Sequence, residues 1–268
     1  MNQFNSTHIR KTVLDMAYAG SAVHIGCAFS IVELLAVLYR NHLCYDPLNP
    51  DAPERDYVVL SKGHGVMAQY ACLNEIGWLD EKDIGNYFKN GSRLKGLADV
   101  HIPGIEATTG SLGHGLSVGV GLALGAKLSG TQQTCYALVG DGELNEGTIW
   151  EAALFSAHFK LDNLVVIVDK NGFQAMGTTD EVIGLGNIEE KFRAFGFDAV
   201  TIDGHDEAAV DAAYASARKN RNGKPKAIVA NSVKGKGVSF MEHNNIWHYT
   251  RLSVDTYAAA IAELGVSV

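Results

Sequence analysis

Short apolar runs and helix-spaced apolar positions alternate along the second half of this chain. Thr134-Cys-Tyr-Ala-Leu-Val139 and Asn163-Leu-Val-Val-Ile-Val168 are brief, β-branched and apolar, and predict two buried strands. Between them Ile149, Trp150, Ala153, Leu154 and Ala157 share one face of a predicted helix. Residues 199–203 and 226–230 predict further strands around a helix over 207–218. The first hundred residues read as helical, with an amphipathic run over 31–43, a proline-bearing loop over 46–53 and a helix over 65–76. Residues 110–125 read as a glycine-rich loop entering a tightly packed helix, in which Gly115, Gly119 and Gly121 admit close neighbours. Strands alternating with helices imply an α/β fold with a mostly parallel sheet covered by helices on both faces. No repeat or low-complexity linker breaks the pattern, so a single domain over residues 1–268 with a helical N-terminal region is expected.

Composition narrows the partners. The 22 Lys and Arg against 30 Asp and Glu, a net charge of −8, disfavour a nucleic-acid or anionic-membrane surface. The one basic run, Arg218-Lys-Asn-Arg-Asn-Gly-Lys224, reads as a solvated helix end and turn. No apolar stretch approaches the roughly 18 residues that span a bilayer. The opening Met1-Asn-Gln-Phe-Asn lacks the charged and apolar parts of a signal peptide, and a cytoplasmic protein is expected. Cys27, Cys44, Cys72 and Cys135 have no paired close spacing, and buried free thiols are expected.

The chemistry gathers where the two predicted strands end. Gly140-Asp141-Gly142 follows the first and Asn171 the second. A right-handed strand-helix-strand crossover makes these neighbouring loops at the carboxyl end of the sheet, where open α/β sheets bind ligands. A carboxylate and an amide oxygen beside glycines suit a hard cation that also binds phosphate, because Mg²⁺ takes few protein oxygens and leaves its other positions to phosphate and water. Gly-Asp-Gly alone is an ordinary turn; the spacing and the flanking strands favour a diphosphate clamp.

Gly-Asp-Gly followed at this distance by Asn resembles the thiamine diphosphate motif. Gly140-Asp-Gly-Glu-Leu-Asn-Glu-Gly147, Ser61-Lys-Gly-His64, Thr109-Gly-Ser-Leu-Gly113 and His248 after Val233-Lys-Gly-Lys-Gly-Val238 stand in the order found in the transketolases, over nearly the whole chain. The resemblance implies a thiamin diphosphate-binding fold with thiamine diphosphate and Mg²⁺, or another divalent cation such as Ca²⁺ or Mn²⁺. It covers only the first of the three transketolase domains, and so implies the N-terminal subunit of a split transketolase. A separate C-terminal subunit would supply the pyrimidine-binding domain and the activating glutamate, with two copies of each subunit and sugar phosphates as substrates.

Carried over residue by residue, the resemblance makes Asp141, Asn171 and the Phe173 carbonyl the cation ligands. It places Gly110, Leu112, Gly140 and Gly142 against the cofactor, His64 at its diphosphate, His248 at both diphosphate and substrate, and His24 at substrate hydroxyls. An imidazole pKa near 6.5 suits the proton transfers such histidines perform. Bland alternatives are a structural His24, a helix cap for His64 and, for Glu146, an acid placed by the helix dipole. By resemblance Glu146 instead contacts the cofactor site and links paired active sites across a dimer interface.

Two departures bear on the substrate. Where transketolases carry Gly-His-Pro followed by an acid, this chain reads Gly96-Leu97-Ala98-Asp99, so the histidine that holds the donor's terminal hydroxyl is absent. Gly113-His114-Gly115 replaces the usual Gly-Gln-Gly. An unsatisfied buried hydroxyl costs roughly 1–3 kcal/mol. A ketose donor other than the usual pentulose phosphate is therefore expected, with His101 or His114 taking the missing place. Transfer of a two-carbon ketol unit to an aldose is the leading reading. Acyl transfer from a pyruvate-like or deoxy donor, as in deoxyxylulose-phosphate synthase, and a noncatalytic cofactor-binding regulatory subunit are the alternatives.

Overall fold

The computed structural model describes residues 3–20 and 23–266. Five parallel strands, β1 (Tyr57–Leu60), β2 (Cys135–Gly140), β3 (Leu164–Lys170), β4 (Asp198–Asp203) and β5 (Lys226–Asn231), form one sheet in the order β1-β2-β3-β5-β4. Helices α1 (Ser6–Ala19), α2 (Gly26–Phe29) and α3 (Val32–Val37) precede β1; α4 (Val66–Ile76), α5 (Glu81–Gly85) and α6 (Gly115–Leu128) connect it to β2. Then α7 (Gly147–His158) leads to β3, α8 (Thr179–Ile183) and α9 (Ile188–Ala194) to β4, α10 (Glu207–Lys219) to β5, and α11 (Val254–Leu264) closes the chain order.

The period of two along the strands builds two cores. Tyr136, Leu138, Val165, Ile167 and Ile228 point to one face, where α1, α3, α4, α10 and α11 pack. Cys135, Ala137, Val139, Leu164, Val166, Val168 and Val229 point to the other, under α6, α7 and α9. The central strands are therefore buried on both faces, as parallel sheets are.

Several expectations are corrected. The 31–43 run is buried nearly all round rather than amphipathic: α3 passes into a π-helical turn, Leu38–His42, between α1, α4 and α10. The charged residue of α3, Glu33, is satisfied by Arg10 and His205. Strand β1 interrupts the stretch read as helical; its four residues are too few to show a period. On α7, Leu154 is 63% exposed and Ala152 takes the inward position. Gly121 has open space where a Cβ would stand, whereas Cβ atoms at Gly115 and Gly119 would meet Ser61 and Ala137. Cys44 is exposed, unlike the other three thiols. Arg218 is no solvated helix end, because it pairs with the buried carboxylate of Asp56. No helix among the described residues is long and apolar enough to cross a membrane.

Candidate functional site

The carboxyl ends of β2 and β3 open into a cleft of about 570 Å³, and every candidate residue except His101 and His114 lines it. Register explains the meeting: Gly140 pairs with Asp169, so Asp141 and Asn171 start adjacent loops. Asp141 is 1% exposed, and its two oxygens accept from the Gly142 N–H at 2.8 Å and the Gly172 N–H at 2.6 Å. Asn171 donates Nδ2 to Asp169 at 2.7 Å, while its Oδ1 accepts from the Phe173 N–H at 3.1 Å. A Cβ on Gly142 would meet the Gln174 side chain at 2.7 Å, so the turn is close-packed behind the acid.

Behind this edge lies a buried constellation that sequence reading missed. Asp169, inside β3, accepts from Lys62 Nζ, Ser30 Oγ, Ser232 Oγ and Asn171. Lys62 also donates to the Cys27 carbonyl at 2.9 Å. Burial disfavours both charges, but their mutual attraction together with the surrounding hydrogen bonds and charges outweighs it: the Lys62 pKa is raised and the Asp169 pKa lowered. An aspartate within an apolar strand and the lysine of Ser61-Lys-Gly-His64 were the available signals. Glu143, also missed, is buried and accepts from Ser61 Oγ, from Gly113 N–H at 2.8 Å and from Gly140 N–H at 3.2 Å, gathering three loops around the cleft.

Burial, and secondarily the Asp169 charge, push the Asp141 pKa up to about 7. Lys62 is already paired with Asp169, so Asp141 is a buried carboxylate with spare lone pairs and no counter-charge of its own. That donor chemistry fits a hard cation. No group of three His, Cys, Asp or Glu among the described residues encloses a metal, so the chain offers a partial oxygen shell that a ligand's oxygens would complete.

Three histidines from distant segments converge on the cleft. The ring of His24 lies 5.1 Å from that of His64 and 5.2 Å from that of His248, and His64 and His248 are 5.8 Å apart. His64 sits in a 3-10 turn, Gly63–Gly65, and its ring caps no helix. Burial lowers all three pKa values, with Lys234 contributing; His24 and His248 fall to about 4, and His64 falls well below its usual value with Lys62 as the larger charge. The site thus presents neutral imidazoles. Glu146 is exposed, makes no capping bond at the start of α7 and borders the cleft.

Neither His101 nor His114 lines the cleft that Leu97 borders. The Asp99 carboxylate accepts from both the backbone N–H and Nδ1 of His101, the latter at 2.7 Å, and holds a ring that is 86% exposed. His114 is exposed, its Nδ1 3.1 Å from the Leu112 carbonyl. Leu97 itself lines the cleft against Gly110, where a Cβ would meet its Cδ1 at 2.8 Å.

A family model described as the transketolase thiamine diphosphate binding domain matches residues 2–267. The chain is 42% identical over 256 residues to an apulose-4-phosphate transketolase subunit of Actinobacillus succinogenes, covering 95% of this chain and 92% of that protein. It is 41% identical over 263 residues to a 6-deoxy-6-sulfo-D-fructose transketolase subunit of a Clostridium species, covering 98% and 95%. Among solved structures, the transketolase of Leishmania mexicana superposes with a TM-score of 0.89 at 30% identity, over 98% of this chain but 41% of that one. The Campylobacter jejuni transketolase gives 0.90 at 29% identity, over 99% and 42%. This chain therefore spans about two-fifths of those solved transketolases and nearly all of the relatives named as subunits, and with a family model matched from end to end it belongs to the transketolase family through its thiamine diphosphate binding domain.

Proposed function

We propose that this chain is the diphosphate-binding subunit of a two-chain transketolase, which moves a two-carbon ketol unit from a phosphorylated or otherwise modified ketose to an aldose. The convergence of His24, His64 and His248 over the Asp141–Asn171 edge carries the reading, because it joins an oxygen-rich cation edge to groups that handle hydroxyl protons in one cleft. Subunit-length relatives support a separate partner. In this reading Asp141, Asn171 and the Phe173 carbonyl hold Mg²⁺ or a similar divalent cation. Gly110, Leu112, Gly140 and Gly142 let the cofactor approach, and Glu146 faces the second copy of an assembly with two of each subunit in the cytoplasm.

Thiamine diphosphate, when bound, supplies the ring that stabilises a carbanion. The chain's own residues orient and desolvate. Lys62 and Lys234 place positive charge near the cation edge, and the neutral rings of His24 and His64 can take a hydroxyl proton that a charged ring could not. Leu97 leaves an apolar wall where a hydrogen-bonding group is expected, which favours a donor with a different end from the usual pentulose phosphate. The same observation favours the second reading, acyl transfer from a pyruvate-like or deoxy donor.

Coexpression with the product of the adjacent reading frame, followed by a transfer assay with thiamine diphosphate and Mg²⁺, tests both. The donor panel is xylulose phosphate, apulose 4-phosphate, 6-deoxy-6-sulfo-D-fructose and pyruvate. Ketose-dependent activity in the mixture, absent from either chain alone, is the expected result. Activity with pyruvate alone selects acyl transfer. A cofactor-loaded complex inert with every donor overturns both and leaves a noncatalytic subunit.

A further inference from the structure

We propose that Lys234 is a positioning residue that fixes the tautomer of His248, so that His248 meets its ligand as an Nε2–H donor and cannot act there as a proton acceptor. Only the identity of the ligand rests on the transketolase-type reading; the proton assignment rests on the hydrogen-bond chain alone.

That chain has a fixed direction because one end is a carbonyl. The Ala175 carbonyl can only accept, so the Asn245 group 3.1 Å from it is Nδ2 and the amide orientation is settled. Asn245 Oδ1 then faces Lys234 Nζ at 2.8 Å and accepts from it. An ammonium has three donors and no acceptor. Its next neighbour is His248 Nδ1 at 2.9 Å, which must therefore present a lone pair. A neutral imidazole with a bare Nδ1 carries its proton on Nε2. The structure gives that Nε2 no protein partner among the described residues, and the ring lines the cleft.

The lysine is held in place to do this. Lys234 is 1% exposed and sits in a loop braced on both sides: the Val233 N–H donates to His205 Nε2 at 2.8 Å and the Gly235 N–H to the Gly26 carbonyl at 3.0 Å. Gly235 has φ +81°, and a Cβ there would meet the Met241 carbonyl at 2.3 Å, so the turn that aims Lys234 requires glycine. The low pKa of His248, set by burial and then by Lys234, agrees with a ring kept neutral against a fixed ammonium. Proton acceptance from a substrate hydroxyl then falls to His24 or His64, whose rings have no side-chain partner that fixes a tautomer among the described residues.

Long-range ¹H–¹⁵N correlation on the full chain labelled at histidine nitrogens reads the tautomer directly, with His248 assigned by the signal lost in His248→Gln. At neutral pH the expected spectrum has a pyridine-type Nδ1 and a pyrrole-type Nε2 for His248. In Lys234→Met, which keeps the length and apolar stem of the side chain, the two shifts should move toward each other as the tautomers exchange. Asn245→Ala, which removes the brace and leaves both Lys234 and His248, should produce a smaller movement in the same direction. A protonated Nδ1 or averaged shifts in the native chain would overturn the proposal whether or not any variant folds. Unchanged shifts in a folded Lys234→Met chain would overturn it too. Because the spectrum does not depend on turnover, an inactive complex with the expected His248 signals would defeat the proposed reaction and leave this inference standing.

Discussion

Asp141 accepts two main-chain N–H bonds and is still short of the water it has lost, which is why its pKa is pushed up to about 7. A bound divalent cation would supply the missing counter-charge. Asp141→Asn in the two-chain enzyme is expected to weaken Mg²⁺-dependent thiamine diphosphate binding by about a hundredfold, the loss of one charged ligand worth roughly 3 kcal/mol. Calorimetric titration of the cofactor with and without Mg²⁺ would measure this, and an unchanged affinity would remove the cation from this edge. The histidines make a separate prediction. Burial, then Lys234, lowers the His24 pKa to about 4, below its unfolded value, so the native state binds fewer protons than the unfolded state between about pH 6.5 and 4. Stability from this group is present above that window and lost as pH falls through it. Thermal unfolding of His24→Asn should therefore decline less steeply on acidification than that of the native chain; parallel curves would mean that His24 is not held neutral. Of the residues in these arguments, Asp141, Asn171 and the three converging histidines were legible from motif order. Lys62, Asp169 and Glu143 were not, since nothing local marks a strand aspartate and a lysine 107 positions away as partners.

Helix α6 shows how the same residue type does different work along one element. A Cβ on Gly115 would stand 2.5 Å from the Ser61 backbone, against the loop that carries Lys62 and His64, whereas Gly121 faces open space. Gly115→Ala should destabilise the chain by about 1–3 kcal/mol through forced backbone movement. Gly121→Ala should stabilise it by up to about 1 kcal/mol, since alanine loses less backbone freedom in a helix. Denaturant unfolding of both variants tests the pair, and equal effects would show that α6 does not pack on the 61–63 loop as described. At this scale the sequence was most readable for β2, β3 and β5, whose continuous apolar runs follow from burial on both faces. It was least readable for β1 and α3. One is too short to display a period, and the other loses its polar face because three helices surround it.

The molecule as a whole leaves apolar surface on the paired helices α6 and α7. Val118 and Leu128 on one, and Leu154 and Phe155 on the other, are all at least 40% exposed. Glu146 immediately precedes the same α7, so this side suits the contact between copies in the proposed assembly. Leu154→Glu should weaken that association about tenfold to a hundredfold, the burial of a leucine being worth roughly 1.5–3 kcal/mol. Sedimentation velocity across a concentration series would read it, and unaltered assembly would move the interface elsewhere. The sequence by itself determined the strand-helix alternation, the two loops that carry Asp141 and Asn171, and the family. Those signals are local: apolar period, glycine at turns and short motifs in fixed order. Only the tertiary structure decided that Lys62 and Asp169 pair beneath the Asp141–Asn171 edge, that Leu154 faces outward, and that Lys234 aims its ammonium at His248. Each of these depends on which distant segments exclude water from the same place, and a buried charge or imidazole takes its partner and its proton from that enclosure, which residue order does not encode.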